Sequence, residues 1–156
     1  MLGECALIDT SNRTKNVNEK SVLALSSRKP LSVTILLLSK DKKVIYQKLE
    51  TKHDKNKIPS IMHSVKIYYA LKEFIDIIPA VYICADGCNK SHLEHHLKQI
   101  MGMKYDKFKI HIWSSLKNTF GKRNIADRLA NKVRKNNSMA TITLKESDFK
   151  RLKLID

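Results

Sequence analysis

Ala80-Val81-Tyr82-Ile83-Cys84-Ala85-Asp86-Gly87 is an unbroken apolar run that ends on an acid and a turn pair. A short run of this kind, bounded by turn residues and lacking polar alternation, reads as a strand buried on both faces, as in a parallel sheet. A parallel neighbour needs a crossover connection, usually a helix, and helical patterns lie on either side of the run. Upstream, Pro59 suits a first helical turn, and Ile61, Val65, Tyr68, Tyr69, Leu71 and Phe74 recur at three- and four-residue spacing before Pro79 helps to end the helix. Downstream, Lys90 to Met101 repeats the pattern, with Leu93, Leu97 and Ile100 or Met101 on the inner side.

Further out, Cys5 to Asp9 reads as a short buried strand and Asn12 to Lys20 as a polar loop. Val22 to Leu25 is an apolar piece before Arg28-Lys29-Pro30, either a strand extension or part of an insertion. Leu31 to Leu38 is β-branched and apolar, Ser39-Lys40-Asp41-Lys42 reads as a turn, and Lys43 to Leu49 alternates roughly, which together predict a hairpin. Phe108 to Trp113 is the next predicted strand, followed by a polar connection, Ser114 to Arg123, containing Gly121. Ile125, Leu129 and Val133 form a third helical stripe; the tail offers a strand over Ala140 to Leu144 and a short helix from near Glu146. The expectation is a single α/β domain over 1–156, with 139–156 as a C-terminal extension. A right-handed crossover puts the Val81 strand parallel to the first strand, in a mixed sheet flanked by helices.

The 156 residues include 30 Lys and Arg against 15 Asp and Glu, a formal charge of +15. Such a surplus favours polyanions through counterion release, which points to nucleic acid as partner. An anionic membrane surface is the competing polyanion, but no long basic amphipathic helix without core duties supports it. The longest apolar run, Val33 to Leu38, is far too short to cross a bilayer. The first residues lack the basic start and cleavage site of a secretory signal, and Cys5, Cys84 and Cys88 are an odd number. An intracellular, cytoplasmic location follows as the expectation.

Against this basic background, Asp9 ends one apolar run, Asp86 ends another, and Asp127 lies in a predicted helix. Acids at strand tips are held by the sheet yet reach a cleft, and gathered carboxylates suit hard cations such as Mg²⁺ or Mn²⁺. Each acid taken singly also fits a turn or helix-capping role, and Asp86-Gly87 is a plain turn signal. Lys117, Lys122, Arg123, Arg128, Lys132, Arg134 and Lys135 make the densest basic region and flank Asp127, which suits phosphate contacts as well as an ordinary solvated helix. His92 and His96 stand one helical turn apart, a spacing that can chelate zinc, but a solvated helix face explains the histidines better.

This order of elements and acids resembles the ribonuclease H-like superfamily, most closely the type 1 ribonuclease H pattern, from Leu7 to about Arg134. Asp9 matches the family's aspartate on the first strand and Asp86 the one that ends the fourth strand. Asn124-Ile125-Ala126-Asp127-Arg128-Leu129-Ala130 is close to the family's last motif, with Trp113 in the strand before it. The resemblance implies a ribonuclease H-like fold and a metal site of Asp9, Asp86 and Asp127, with Asp9 bridging two ions. The family's catalytic glutamate, early in the first helix, has no counterpart: its spacing lands near Ser60, with His63 a turn later as a nitrogen ligand or proton relay. The histidine of the loop before the last helix is also absent, Lys117 and Lys122 standing there instead.

The implied function is a divalent-metal-dependent nuclease acting on phosphodiesters, with the RNA strand of an RNA–DNA hybrid as first substrate and structured DNA next. The missing glutamate motivates an alternative, a nucleic-acid-binding protein that kept the fold and lost the chemistry. A protein-interaction module whose charge meets an acidic protein is the second alternative.

Overall fold

The computed structural model describes residues 5–11, 16–27, 31–107, 109–116 and 124–156. Its frame is a mixed sheet of β1 (Ala6–Ser11), β2 (Ser21–Ser27), β3 (Ser32–Leu37), β4 (Ala80–Cys84), β5 (Lys109–Trp113) and β6 (Ile142–Thr143), in spatial order β5-β4-β1-β2-β3-β6. β1, β2 and β3 form an antiparallel meander. β4 lies parallel to β1, β5 parallel to β4, and β6 parallel to β3. The helices are α1 (Ser39–Glu50), α2 (Ile58–Leu71), α3 (Lys90–Met101), α4 (Ile125–Lys135) and α5 (Glu146–Arg151). The chain is thus α/β, with helices flanking a mixed sheet, and the Ala80 run lies beside β1 in parallel as expected.

The predicted hairpin is replaced by a different one. β3 pairs back onto β2, and the stretch read as its second strand is the body of α1. Lys42, Ile45 and Leu49 are the buried residues of α1, at helical spacing, while Val44 is 42% exposed. The outward Val44, and the polar residues between Ile45 and Leu49, imitate strand alternation, and the packed side of the helix overrides it. Val22 to Leu25 is the middle of β2, buried throughout.

Period two sorts the two sheet faces. Ala6, Ile8, Leu23, Leu25, Ile35 and Leu37 join the main core, with Ile45 and Leu49 of α1, most of α2, Leu93, Leu97 and Met101 of α3, and Phe149 of α5. Val22, Ala24 and Leu36 face the other way and meet Ala126, Ala130 and Val133 of α4. The buried stripe of α4 is therefore rotated from the expected one, with Ile125 52% exposed. Ala126 and Ala130 end at Cβ, so the helix sits close to the sheet. Residues 139–156 are tied to the same body: Leu144, Phe149 and Ile155 lie in the main core, and Lys48 of α1 pairs with Glu146 of α5.

The first-turn proline of α2 stands as expected, but the helix stops at Leu71 and Phe74 packs from the turns beyond it. The predictions touching Asn12 to Lys15, Arg28-Lys29-Pro30, Phe108 and Gly121 lie outside the described residues.

Candidate functional site

The C-terminal ends of β1, β3 and β4 and the start of β2 share one end of the sheet, through the pairings Ser11–Val22, Ser21–Leu37 and Ile8–Ile83. Asp9 and Asp86 are both there, each under a tenth exposed. Beyond β4 the chain turns over Ala85 to Cys88, closed by the Cys88 amide donating to the Ala85 carbonyl at 2.9 Å. Asp86 has φ +55° and Gly87 φ +74°. Consecutive left-handed residues favour Asp, Asn and Gly, so the turn chemistry selects an acid-tolerant position at the strand tip.

Alternation along β1 then divides the site. Leu7, Asp9 and Ser11 project to the α4 face, and Ala6, Ile8 and Thr10 to the α2 face. On the α4 face, Asn124 Nδ2 donates to Asp9 Oδ2 at 2.9 Å, and Ser11 Oγ donates to Asn131 Oδ1 at 2.9 Å. Asn124 also caps α4, its Oδ1 accepting from the Asp127 amide at 2.9 Å. Asn131 Nδ2 reaches Asp127 Oδ2 at 3.4 Å. Asn124 thus connects Asp9 to the first turn of α4, where Asp127 complements the helix dipole. Cys84 sits on this side too; burial above all pushes its thiol up to about 12, so it stays protonated.

On the α2 face, Thr10 is the link. Its amide donates to Asp9 Oδ1 at 2.8 Å, and its hydroxyl donates to Asp86 Oδ1 at 2.8 Å. Behind Asp86 stand three buried basic side chains. His63 is fully buried, and its Nε2 lies 2.9 Å from the Cys84 carbonyl. Since a carbonyl only accepts, Nε2 carries the proton and Nδ1 holds a bare lone pair, with no partner of its own. Burial, reinforced by the charge of Lys66, brings the imidazole down to about 4 against the opposing pull of Asp86, so the ring is neutral at pH 7. Lys66, fully buried one helical turn on, donates to Ser21 Oγ at 3.1 Å. Burial lowers its ammonium, and Asp86 is the largest charge holding it up. Lys42 of α1 donates to the carbonyls of Asn16 at 2.7 Å and Glu19 at 2.9 Å. Burial first, then Lys66, lowers it to about 7.

The acids of three distant segments therefore reach one end of the sheet. Oxygen donors are the right chemistry for Mg²⁺ or Mn²⁺. Among the described residues, however, no three His, Cys, Asp or Glu side chains stand close enough to hold a metal ion as they are. The oxygens of the three acids already have protein partners: Thr10 and Asn124 hold Asp9, Thr10 holds Asp86, and Asn131 reaches Asp127. An ion on the α4 side would need Asn124 Nδ2 to yield its place on Asp9, a loss of about 2 kcal/mol for a hydrogen bond to a charged group. The donor set does not fit a carboxylate-rich pair of ions, because α2 brings Ser60 and the neutral imidazole of His63 to the place where a glutamate was sought.

Of the basic residues, Arg128, Lys132 and Lys135 are exposed on α4 and Arg134 is half-buried, while Lys117, Lys122 and Arg123 lie outside the described residues. Arg128 and Lys132 line a shallow groove of about 400 Å³ with Ser26, Ser32, Ile125 and Leu129. His95 is exposed as expected, but His96 turns inward and is 6% exposed, with burial lowering its imidazole. Thr10, Asn131, Lys42 and Lys66 were not marked by sequence reasoning, and Asn124 only as a motif letter. The Asn124-x-x-Asp127 spacing is a capping signature, and Lys66 is the sole Lys, Arg, Asp or Glu in α2; both were legible signals.

No described helix is long and apolar enough to cross a membrane. Compared with protein-family models, curated proteins and solved structures, the chain matches none.

Proposed function

We propose that this chain is a divalent-metal-dependent nuclease of ribonuclease H-like fold, acting on nucleic-acid phosphodiesters. The observation that carries the reading is the pair of bridges on Asp9. Thr10 joins it to Asp86, and Asn124 joins it to the first turn of α4, which holds Asp127. Asp86, 77 positions along the chain, is linked to Asp9 by its side chain, and Asp127, 118 positions along, by its backbone amide, in a protein whose charge of +15 suits a polyanion. Mg²⁺ or Mn²⁺ held there would polarise the phosphodiester and supply a nucleophilic water near neutral pH. Asp9 and Asp127 offer it oxygens from β1 and α4, and Asp86 fixes Thr10 and with it the Asp9 carboxylate. Arg128 and Lys132, one helical turn apart on the exposed side of α4, lie where phosphates alongside Asp127 would pass. The bonds to phosphate are backbone contacts, so cleavage is expected without base specificity.

The test is cleavage of a labelled RNA–DNA hybrid, followed by branched DNA, with Mg²⁺ or Mn²⁺ and with chelator. Cleavage that needs the ion and disappears in Asp9→Asn and Asp86→Asn is expected. Metal-independent cleavage surviving both substitutions would sink the reading.

One observation favours a second reading, a nucleic-acid-binding protein without turnover. Both Asp9 oxygens are already hydrogen-bonded, and α2 contributes His63 and Lys66 in place of an acid. Under that reading hybrid or DNA binding falls steeply with salt, and Asp9→Asn leaves affinity unchanged or raises it. Aspartate-dependent turnover would remove it.

A further inference from the structure

α4 buries one stripe against the sheet, Ala126, Ala130 and Val133. At 3.6 residues per turn, the positions beside that stripe fall on two flanks. Asp127 and Asn131 share the flank toward β1, where Asn131 accepts from Ser11. Ile125, Arg128, Leu129 and Lys132 share the other, toward β2 and β3, and form a shallow groove of about 400 Å³ with Ser26 and Ser32. The two serines are cross-strand partners on the face that Val22, Ala24 and Leu36 present to α4, so their side chains stand next to each other. Among the described residues no acid lines this groove. Nor does the fold use its polar side chains. Among the described residues Arg128 and Lys132 have no carboxylate partner and the Ser26 and Ser32 hydroxyls no hydrogen bond, whereas Lys48, Lys98, Lys145 and Arg151 are all paired.

We propose that this groove seats a backbone phosphate of a nucleic-acid strand, across α4 from the acid site and without any metal ion. The inference rests on the nucleic-acid partner of the reading above and adds to it a site that the acids do not form. Arg128 and Lys132, one helical turn apart, attract the phosphate, and the serine hydroxyls donate to its oxygens. Ile125, 52% exposed, and Leu129 give the apolar wall on which the neighbouring sugar rests. A shallow groove encloses too little of a small free ligand to hold it. A strand that carries many phosphates needs only one side of each. Such contacts fix position and read no base.

The experiment is fluorescence anisotropy of the full chain with a labelled RNA–DNA hybrid in EDTA, at salt from about 50 to about 200 mM. Arg128→Gln with Lys132→Gln is expected to weaken binding about tenfold and to reduce its salt dependence. Ser26→Ala with Ser32→Ala keeps every charge and is expected to weaken binding about fivefold with the salt dependence unchanged. Neither serine side chain bonds to the fold, so that variant stays folded. Lys40→Gln with Lys43→Gln removes two exposed charges from α1, on the other face of the sheet, and is expected to cost under about twofold. An equal loss in the α1 variant, or wild-type affinity in the serine variant, overturns the proposal, because charge would then act without a seat. Wild type that shows no salt-sensitive binding overturns it together with the nucleic-acid reading. Binding as stated in a protein that does not cleave supports the groove and removes the metal-dependent reading alone.

Discussion

The two flanks of β1 solve the same problem, an acid held away from water, by opposite means. On the α4 flank the partners are neutral: the Asn124 amide on Asp9, the Ser11 hydroxyl on Asn131, and a helix N-terminus beside Asp127. On the α2 flank Asp86 accepts from the Thr10 hydroxyl, and its charge acts on basic groups sunk into the core, Lys66, Lys42 and His63. Neutral donors can be exchanged for a cation at the cost of their hydrogen bonds to the carboxylate. A buried ammonium cannot be removed so cheaply, because its partner would be left charged and uncompensated. The α4 flank thus holds its acids by bonds that can be exchanged, whereas the α2 flank holds Asp86 among buried basic groups.

The contrast breaks most visibly in the stability of the acid variants. Asp86→Asn takes the main opposing charge from fully buried Lys66 and is expected to destabilise the fold by about 3 kcal/mol. Asparagine tolerates the left-handed φ of +55° at this position, so the loss reports charge and not backbone strain. Asp127→Asn, half-buried and bonded to Asn131 at 3.4 Å, is expected to stay within about 1 kcal/mol. Urea denaturation without metal measures both. Equal losses for the two variants would erase the distinction between the flanks.

The pH dependence of folding sharpens the same point with a smaller effect. Lys42 is lowered from 10.5 in the unfolded chain to about 7 in the fold. Between those values the unfolded chain binds the extra proton, so stability is full above pH 10.5 and is lost as pH falls to about 7, by at most about 1.4 kcal/mol per pH unit. His63, lowered from 6.5 to about 4, acts in the same direction in its own window: its contribution is present above pH 6.5 and lost as pH falls through 4. Stability measured from pH 7 to pH 9 is expected to rise in wild type. Lys42→Met should reduce that rise, the remainder coming from Lys66, whose ammonium burial also lowers; a slope unchanged by the substitution would show that the charge on α1 does not feel the core.

The same two flanks explain what could be read from residue order. α3 and α4 were legible because their signals are local: Asn89 and Asn124 cap them, and Leu93, Leu97 and Val133 mark their inner sides. β4 was legible from its apolar length and the Asp86-Gly87 turn. Asp9 and Asp86 could be placed at strand ends and Asp127 in a helix, since those places are recognisable, whereas their meeting at one site was only what the resemblance implied. The α2 flank was hidden because its decisive residues contradict polarity. Lys42 and Lys66 occupy core positions, and a pattern that counts apolar residues passes over them; with Lys42 read as part of a turn, the start of α1 was lost. Which face Asp9 takes follows from period two only once β2 is known to be its partner, a long-range fact that pairing supplies and composition does not.

The smallest expected effect tests how readily the α4 flank opens. Asn124→Ala removes a helix cap, a loss of about 1 kcal/mol, and bares Asp9 Oδ2. In metal-free protein the melting temperature should fall by a few degrees, about 4 °C for a domain near this size. With Mn²⁺ present, part of that loss should return, because the ion takes over the oxygen that Asn124 vacated, and bound ligand stabilises by mass action. Asn124→Asp separates the two roles. It keeps a capping oxygen for the Asp127 amide but replaces the Asp9 donor with a second carboxylate. Its metal-free stability should fall further than that of the alanine variant at neutral pH, and its recovery with Mn²⁺ should be larger. A fall that Mn²⁺ does not relieve in either variant would mean that Asn124 is a structural clamp, and that Asp9 faces α4 for packing alone.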